Sequence, residues 1–261
     1  MRNSKAAVTQ RREHILELLK RDTSIRVNDL ADTLAVSQLT VRRDLEQLES
    51  EGRVKRMHGE ARIIDPALHL TYRGDEHLLQ MQAVGAAAAR MVEDGDTIFV
   101  NSGRTAVYVM QNIKKRDVFV VTTNLRALIM EQNPNLHIML TGGEFSDRFD
   151  SLVGEFAVNP LNQVVSSKCF LGVIGISAAG GLTTSSPQKI VINKTMIARC
   201  KGPKIVVADG SKIGNSTSFY TCPVTDISCL VTDTSADPEE LQRIRNTGVE
   251  VVVVDPYAPA P

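Results

Sequence analysis

Apolar positions along the chain follow two regimes. Up to about residue 64 they recur at helical spacing. Ile15, Leu16, Leu18 and Leu19 predict a helix over about 9–21, and Leu30, Ala31 and Leu34 predict a short one over 28–34. Val41, Leu45 and Leu48, at i, i+4 and i+7, predict a third within 37–50, with Ser37 as its N-cap. From about residue 97 the apolar residues come instead in short, nearly continuous, β-branched runs. These are 97–101, 118–122, 136–140, 169–174, 204–208, 227–231 and 249–254. Runs of that kind are strands of a parallel sheet covered on both faces. Helices are expected over 76–92, 105–114, 124–132, 187–200 and 238–247, giving the alternation of an α/β domain.

The first regime has a recognisable geometry. Helix, three-residue turn (Ala35-Val36-Ser37), then a helix opening with polar and basic residues is the helix-turn-helix layout, Val36 plugging the gap between the two helices. Gln38, Thr40, Arg42 and Arg43 lie on the early, outward part of the third helix, while Glu46, Glu49 and Glu51 lie towards its end. That order opposes the helix dipole, so the cations at the leading end point to an external polyanion. Arg42 or Arg43 is expected at guanine edges, and Leu39 either at a thymine methyl or against the wing. Gly52 is expected to stop the helix. Arg53-Val54-Lys55-Arg56 and 61–64 then form a small basic hairpin, a wing placing Arg53, Lys55, Arg56 and His58 along phosphate or in the minor groove.

These residues resemble the N-terminal domain of the DeoR-type bacterial repressors over 11–61. The match runs through Ile15, Leu16, Leu19, Val27, Leu30, Ala31, Leu34 and Val36-Ser37, then Thr40-Val41-Arg42-Arg43-Asp44-Leu45, Leu48, Gly52, Arg56 and His58-Gly59. Glu60 departs from the family's second glycine in the wing tip. The resemblance continues through DGDTIFVNSGRT, VVTTNLRA, LTGGEF, LVGEFA and ADGSKIG. It implies an operator-binding repressor of a carbohydrate operon, whose second domain, similar to sugar-phosphate isomerases, senses a phosphorylated sugar that releases DNA. Met81, where the family often has lysine, and Lys189, near a commonly acidic position, put the usual sugar phosphate in doubt.

Composition sets the bounds. At 261 residues, 43% apolar and 23% charged, the chain suits a two-domain soluble protein. The expected domains are a winged helix-turn-helix over 1–64, a linker over 65–74 broken by Pro66 and Gly74, and a Rossmann-like, mostly parallel sensor domain over 75–261. Net charge is zero, but residues 1–62 hold 13 Lys+Arg against 10 Asp+Glu, leaving 17 against 20 for the rest. So small a surplus makes specific binding depend on pairing of recognition helices, hence a homodimer or homotetramer on operator DNA. The polar start lacks an apolar core segment and no run approaches a membrane span, so a cytoplasmic protein without leader or membrane contact is expected. Cys169, Cys200, Cys222 and Cys229 show no metal-ligand spacing and read as buried structural thiols; neither metal nor cofactor is expected.

Ligands of open parallel sheets bind beyond the strands' carboxyl ends. Four small-polar turns stand there. Ser102-Gly103-Arg104-Thr105 feeds a helix N-terminus, an anion seat with hydroxyl donors and a guanidinium. Thr123-Asn124 and Gly142-Gly143 follow the next two runs, and Asp209 with Lys212 follows 204–208. Asp209 would take sugar hydroxyls and Lys212 the phosphate or a carbonyl, unless the two form only a surface pair. Lys194 supplies a basic residue on its helix. Ser102–Thr105 lacks the spacing of a P-loop, so a nucleoside triphosphate is not expected. The alternative is an isomerase-like enzyme with an appended DNA-binding domain, using Glu144, Asp209 and Lys212 as carboxylates and electrophile.

Overall fold

The computed structural model describes residues 5–22, 24–51, 53–57, 60–63, 77–131, 133–146 and 150–258. The chain divides into two compact units, Met1–Gly74 and Asp75–Pro261. Gly52, His58, Gly59 and the linker at 65–74 lie outside the described residues.

The first unit runs α1 (Lys5–Asp22), β1 (Ser24–Arg26), α2 (Val27–Thr33), α3 (Gln38–Ser50), β2 (Val54–Met57) and β3 (Glu60–Ile63). Ile15, Leu16, Leu19, Leu30, Val41, Leu45 and Leu48 meet in one core with Val54 and Ala61 of the hairpin, and Val36 packs half-buried against it. The turn between α2 and α3 closes through Ala35 at φ 51, a left-handed conformation held by the Val36 N–H bonding Ala31 O at 3.1 Å. β1, which is too short to leave a periodicity, pairs with β3 and makes the hairpin three-stranded in the order β1-β3-β2.

The second unit continues with α4 (Leu78–Ala89), β4 (Thr97–Val100), α5 (Arg104–Asn112), β5 (Val118–Thr122), β6 (Leu136–Leu140), β7 (Glu144–Ser146), β8 (Ser151–Val153) and α6 (Glu155–Gln163). It closes with β9 (Lys168–Gly172), β10 (Gly175–Ser177), β11 (Gly181–Thr184), α7 (Pro187–Arg199), β12 (Lys204–Val207), β13 (Phe219–Cys222), β14 (Cys229–Asp233), α8 (Pro238–Asn246) and β15 (Glu250–Val254). Seven strands form one parallel sheet in the order β15-β14-β12-β9-β4-β5-β6. α6, α7 and α8 supply Ala157, Leu161, Ile192, Met196, Leu241 and Ile244 to a core on Phe99, Leu171, Val206 and Leu230. α4 and α5 pack on each other, and reach β14, β12 and β9. The chain order reverses between β4 and β9: β5 and β6 add on one side, β12, β14 and β15 on the other.

Several expectations are corrected. The helix expected over 124–132 is not an α-helix over its described residues, 124–131. Asn124 turns the chain into a 3-10 helix, Leu125–Ile129, whose Leu125 N–H is drawn to Asp150 O at 3.0 Å. The run expected over 169–174 ends as a sheet strand at Gly172, and the chain turns into a separate antiparallel sheet, β10-β11-β13. α6 was unforeseen because Pro160 sits within it, and the β7–β8 hairpin has only three residues a side. Both faces of the sheet are not covered throughout: Phe119 and Met139 are each 48% exposed near the β6 edge. All four cysteines are buried free thiols. Burial pushes Cys222 up to about 12 and Cys229 to about 11, so neither is a nucleophile at neutral pH.

Candidate functional site

The nucleic-acid face is built on α3. Ser37 caps it, its hydroxyl accepting the Thr40 N–H at 3.2 Å and lying 2.9 Å from Thr40 Oγ1. With Val41, Leu45 and Leu48 buried, Gln38, Leu39, Arg42 and Arg43 form an exposed quartet at the leading end, Leu39 being 60% exposed. The rear is fixed by a contact the sequence reading missed. Asp44, 2% exposed, accepts from Arg11 Nε at 2.6 Å and Arg12 Nε at 3.0 Å. A carboxylate so buried demands such partners. Its signal was its place on the Val41–Leu45–Leu48 face, where an unpaired acid would not stand. On the wing, Lys55 and Arg56 stand on β2 opposite Arg62 and Ala61. Arg53 bonds Glu13 at 2.9 Å, and that hydrogen bond raises its pKa above the ordinary guanidinium value. In the free protein its head is turned to α1.

The second candidate site is the carboxyl edge where β4 and β9 part. Asn101, 4% exposed, closes the gap there. Its Oδ1 accepts the N–H groups of Gly103 at 3.0 Å and Gly172 at 2.8 Å, while Nδ2 donates to Gly172 O at 2.9 Å and Asn193 Oδ1 at 3.1 Å. Both lone pairs and both protons of the amide are thus used. Gly103 and Gly172 meet backbone to backbone; a Cβ on Gly103 would lie 2.5 Å from Gly172 Cα, so no side chain fits between the halves of the sheet. Asn124 adds the β5 turn, donating to Asn101 O at 3.3 Å and Gly103 O at 3.2 Å and capping the 3-10 helix through Arg126 N–H at 3.1 Å. Ser102, Gly103, Arg104, Thr105, Thr123 and Asn124 are therefore brought together at the start of α5. Thr123 Oγ1 is buried without a hydrogen-bond partner, a group that asks for a ligand or water.

α7 faces this edge with Asn193 and, one turn earlier, Lys189. Burial lowers Lys189 to about 8 against the pull of Asp150, which itself holds Arg126 at 2.7 Å. Lys194 is exposed, off the face that carries Lys189 and Asn193, so the inward lysine of this helix is Lys189. Met81 is 1% exposed within the core and takes no part in the edge.

The other predicted residues are bonded or packed within their own turns. Asp209 caps the 3-10 helix Gly210–Lys212, accepting from Ser211 N–H at 3.2 Å and from the Ser211 hydroxyl. Lys212 Nζ lies 3.7 Å from Asp209 Oδ2 and 2.8 Å from Ser211 Oγ. The two meet, as expected, but Asp209 is 1% exposed, so this is no surface pair. Asp233, not foreseen, ties this turn to the next by accepting Gly210 N–H at 2.7 Å and Ser235 N–H at 2.9 Å. Gly142 and Gly143 have φ of 74° and 113°, and Gly143 rests on Val153 O and α6, a packing role. An open groove of about 570 Å³ lies between α4, the far end of α5 and the residues after β15. It shares only α5 with the carboxyl edge.

At the amino ends of β4 and β9 the chemistry is ionic. Lys168 Nζ lies 2.7 Å from Asp96 Oδ2 and 2.9 Å from Glu93 Oε2, and Ser167 donates to Asp96 at 2.7 Å. Burial pushes Asp96 up, but bonds from Lys168, Ser167 and the Glu93 N–H outweigh it and the net shift is downward.

Comparison with known proteins matches both units of the chain. A family model described as a DeoR-like helix-turn-helix domain matches residues 11–67, and one described as a DeoR C terminal sensor domain matches 76–234. The chain is similar to an uncharacterized HTH-type transcriptional regulator, YulB, of Bacillus subtilis, 30% identical over 95% of this chain and 97% of that protein. It is similar to the lactose phosphotransferase system repressor of Streptococcus mutans, 32% identical over 90% and 95%. A solved ribose 5-phosphate isomerase A from Methanocaldococcus jannaschii aligns over 53% of this chain and 55% of its own at 16% identity, but a TM-score of 0.38 is too low to carry an argument.

Proposed function

This chain belongs to the DeoR family of transcriptional regulators, and from that premise we propose that it represses a carbohydrate-utilisation operon and leaves its operator when a phosphorylated sugar or related metabolite binds. The observation that carries the reading is α3: buried and salt-bridged behind, it offers Gln38, Leu39, Arg42 and Arg43 in front. A helix so held can enter a major groove without its cations being consumed within the domain. The protein works in the cytoplasm as a homodimer or homotetramer, since one recognition helix seldom gives specific affinity.

The effector's anionic group would sit at the start of α5, on N–H groups after Gly103 and the Ser102 and Thr105 hydroxyls. Thr123 and Lys189 face the same edge. Lys189 there, with Lys194 exposed, favours an anionic ligand over a neutral sugar. The isomerase alternative is the weaker reading, because Asp209 and Lys212 are bound to each other and to Ser211 rather than poised as base and electrophile.

Two measurements test this. Replacing Arg42 and Arg43 with alanine should weaken binding to the protein's own upstream DNA by roughly a hundredfold at moderate salt, read by fluorescence anisotropy. Unchanged binding sinks the α3 assignment. A thermal-shift screen over phosphorylated sugars, sugar acids and unphosphorylated parents should find a stabilising anion; a hundredfold excess over Kd adds about 2.7 kcal/mol. A hit that also releases the DNA identifies the effector class, whereas hits confined to neutral sugars overturn the anion reading.

A further inference from the structure

The sheet ends at β6 on an edge that its own residues do nothing to blunt. Leu136, His137, Ile138, Met139 and Leu140 include no charge, no proline and no register shift against β5. Exposed edges of natural sheets are protected by such features, because unpaired N–H and C=O groups recruit another strand. The crossover into β6 carries a 3-10 turn instead of an α-helix. Phe119 and Met139 are 48% exposed on one face, and Ile138 is 38% exposed on the other. Phe119 stacks on His137 at 4.6 Å between ring centroids, which keeps that aromatic pair upright on the surface.

We propose that this edge is completed by β6 of a second copy of the chain, antiparallel about a two-fold axis through Ile138. This rests on the reading that the protein acts as an oligomer, and it names the surface. The strand is nearly the same in both directions. The axis sets Leu136 against Leu140 of the partner subunit, His137 against Met139 of the partner subunit, and Ile138 against its own equivalent. Opposed residues share a face at close Cβ range, and methionine sulfur suits an aromatic edge. Charge agrees with the register. Asn133 Nδ2 donates to Ile113 O at 3.0 Å, setting the exposed Lys114 and Lys115 beside the amino end of β6, with Glu131 near them. The exposed Glu144 follows the carboxyl end. The antiparallel arrangement puts the acidic Glu144 of the partner subunit at the same end of the strand pair as Lys114 and Lys115. The contact is isologous and uses up both edges, so it closes at a pair.

The test is the mass of the full chain in solution, by light scattering, with cysteine cross-linking to read the register. Ile138→Lys sets two ammonium groups on the axis and should halve the mass, tetramer to dimer or dimer to monomer, with an unchanged melting profile. Ile138→Cys should oxidise to a covalent dimer almost completely, since the native cysteines are all buried. Met139→Cys alone should cross-link little, because it faces His137 of the partner subunit, and His137→Cys with Met139→Cys should restore the link. An Ile138→Lys protein of wild-type mass overturns the proposal, as does an Ile138→Cys protein that stays uncrosslinked in an oligomer; both place association on another face. A wild-type chain monomeric at tens of micromolar overturns this surface and the oligomer reading together. If Ile138→Lys fails to fold, the cysteine series decides alone.

Discussion

The two ends of the β4–β9 strand pair are held by opposite chemistries. At the amino end Lys168 bridges Asp96 and Glu93. At the carboxyl end the strands are joined by Asn101, Asn193 and Asn124, with no ion pair in the clasp itself. A charged staple would compete with a charged ligand for the same N–H groups and would set the local potential. A neutral amide holds the backbone equally well and leaves the N-terminus of α5 free to receive an anion. The sheet is therefore locked by an ion pair at its amino end and clasped without charge at the end proposed to take the ligand.

The largest way to break this contrast is Asn101→Leu. It strips partners from Gly103 N–H, Gly172 N–H, Gly172 O and Asn193, and should cost about 3 kcal/mol or more, read by urea unfolding of the full chain. A cost below about 1 kcal/mol would mean the clasp is not structural. Asn101→Asp sharpens the comparison: it keeps the shape, loses two donors and sets an anion at the seat, so any phosphosugar stabilisation should vanish. At the other end, Lys168→Met should cost about 2 kcal/mol by leaving Asp96 buried without its cation, while effector response persists. Asp96 also gives an acid signature. Its folded pKa is below the unfolded value, so its contribution is full above about pH 4 and is lost as pH falls through the lower folded pKa; Asp96→Asn should flatten that decline.

The smallest expected effect is a slope with pH. Lys189, lowered to about 8, attracts an anion only while protonated, so effector affinity should weaken as pH rises through about 8 and be flat there in Lys189→Met. Its effect on folding has the opposite sign. The unfolded chain holds this proton up to about pH 10.5, so folding stability should rise between about pH 8 and 10.5. An effector affinity that is pH-independent in the wild type removes Lys189 from the ligand.

Much of the fold was legible because burial on both faces writes itself into β4, β9, β12 and β14 as unbroken apolar runs, and because Val41, Leu45 and Leu48 keep one helical stripe. The edge strand β6 reads the same way yet lies open, since composition does not distinguish a strand covered by its own domain from one waiting for another. The clasp was illegible for a different reason. Asn101 and Asn193 are 92 residues apart, and an asparagine ending an apolar run looks like turn chemistry until its partners are seen. Asp209 and Lys212 show the converse: residues of catalytic type at a strand end are bonded here within their own turn, and Asp233, which no periodicity marks, ties that turn to the next.

The tether of Arg11 and Arg12 to Asp44 carries a genetic consequence. A selection for operator-blind mutants should return lesions in α1 as well as in α3, because tilting the reading helix from behind is equivalent to changing its letters. Such lesions should leave effector binding by the second unit intact, and those at residue 11 should be partly suppressed by shortening or neutralising residue 44.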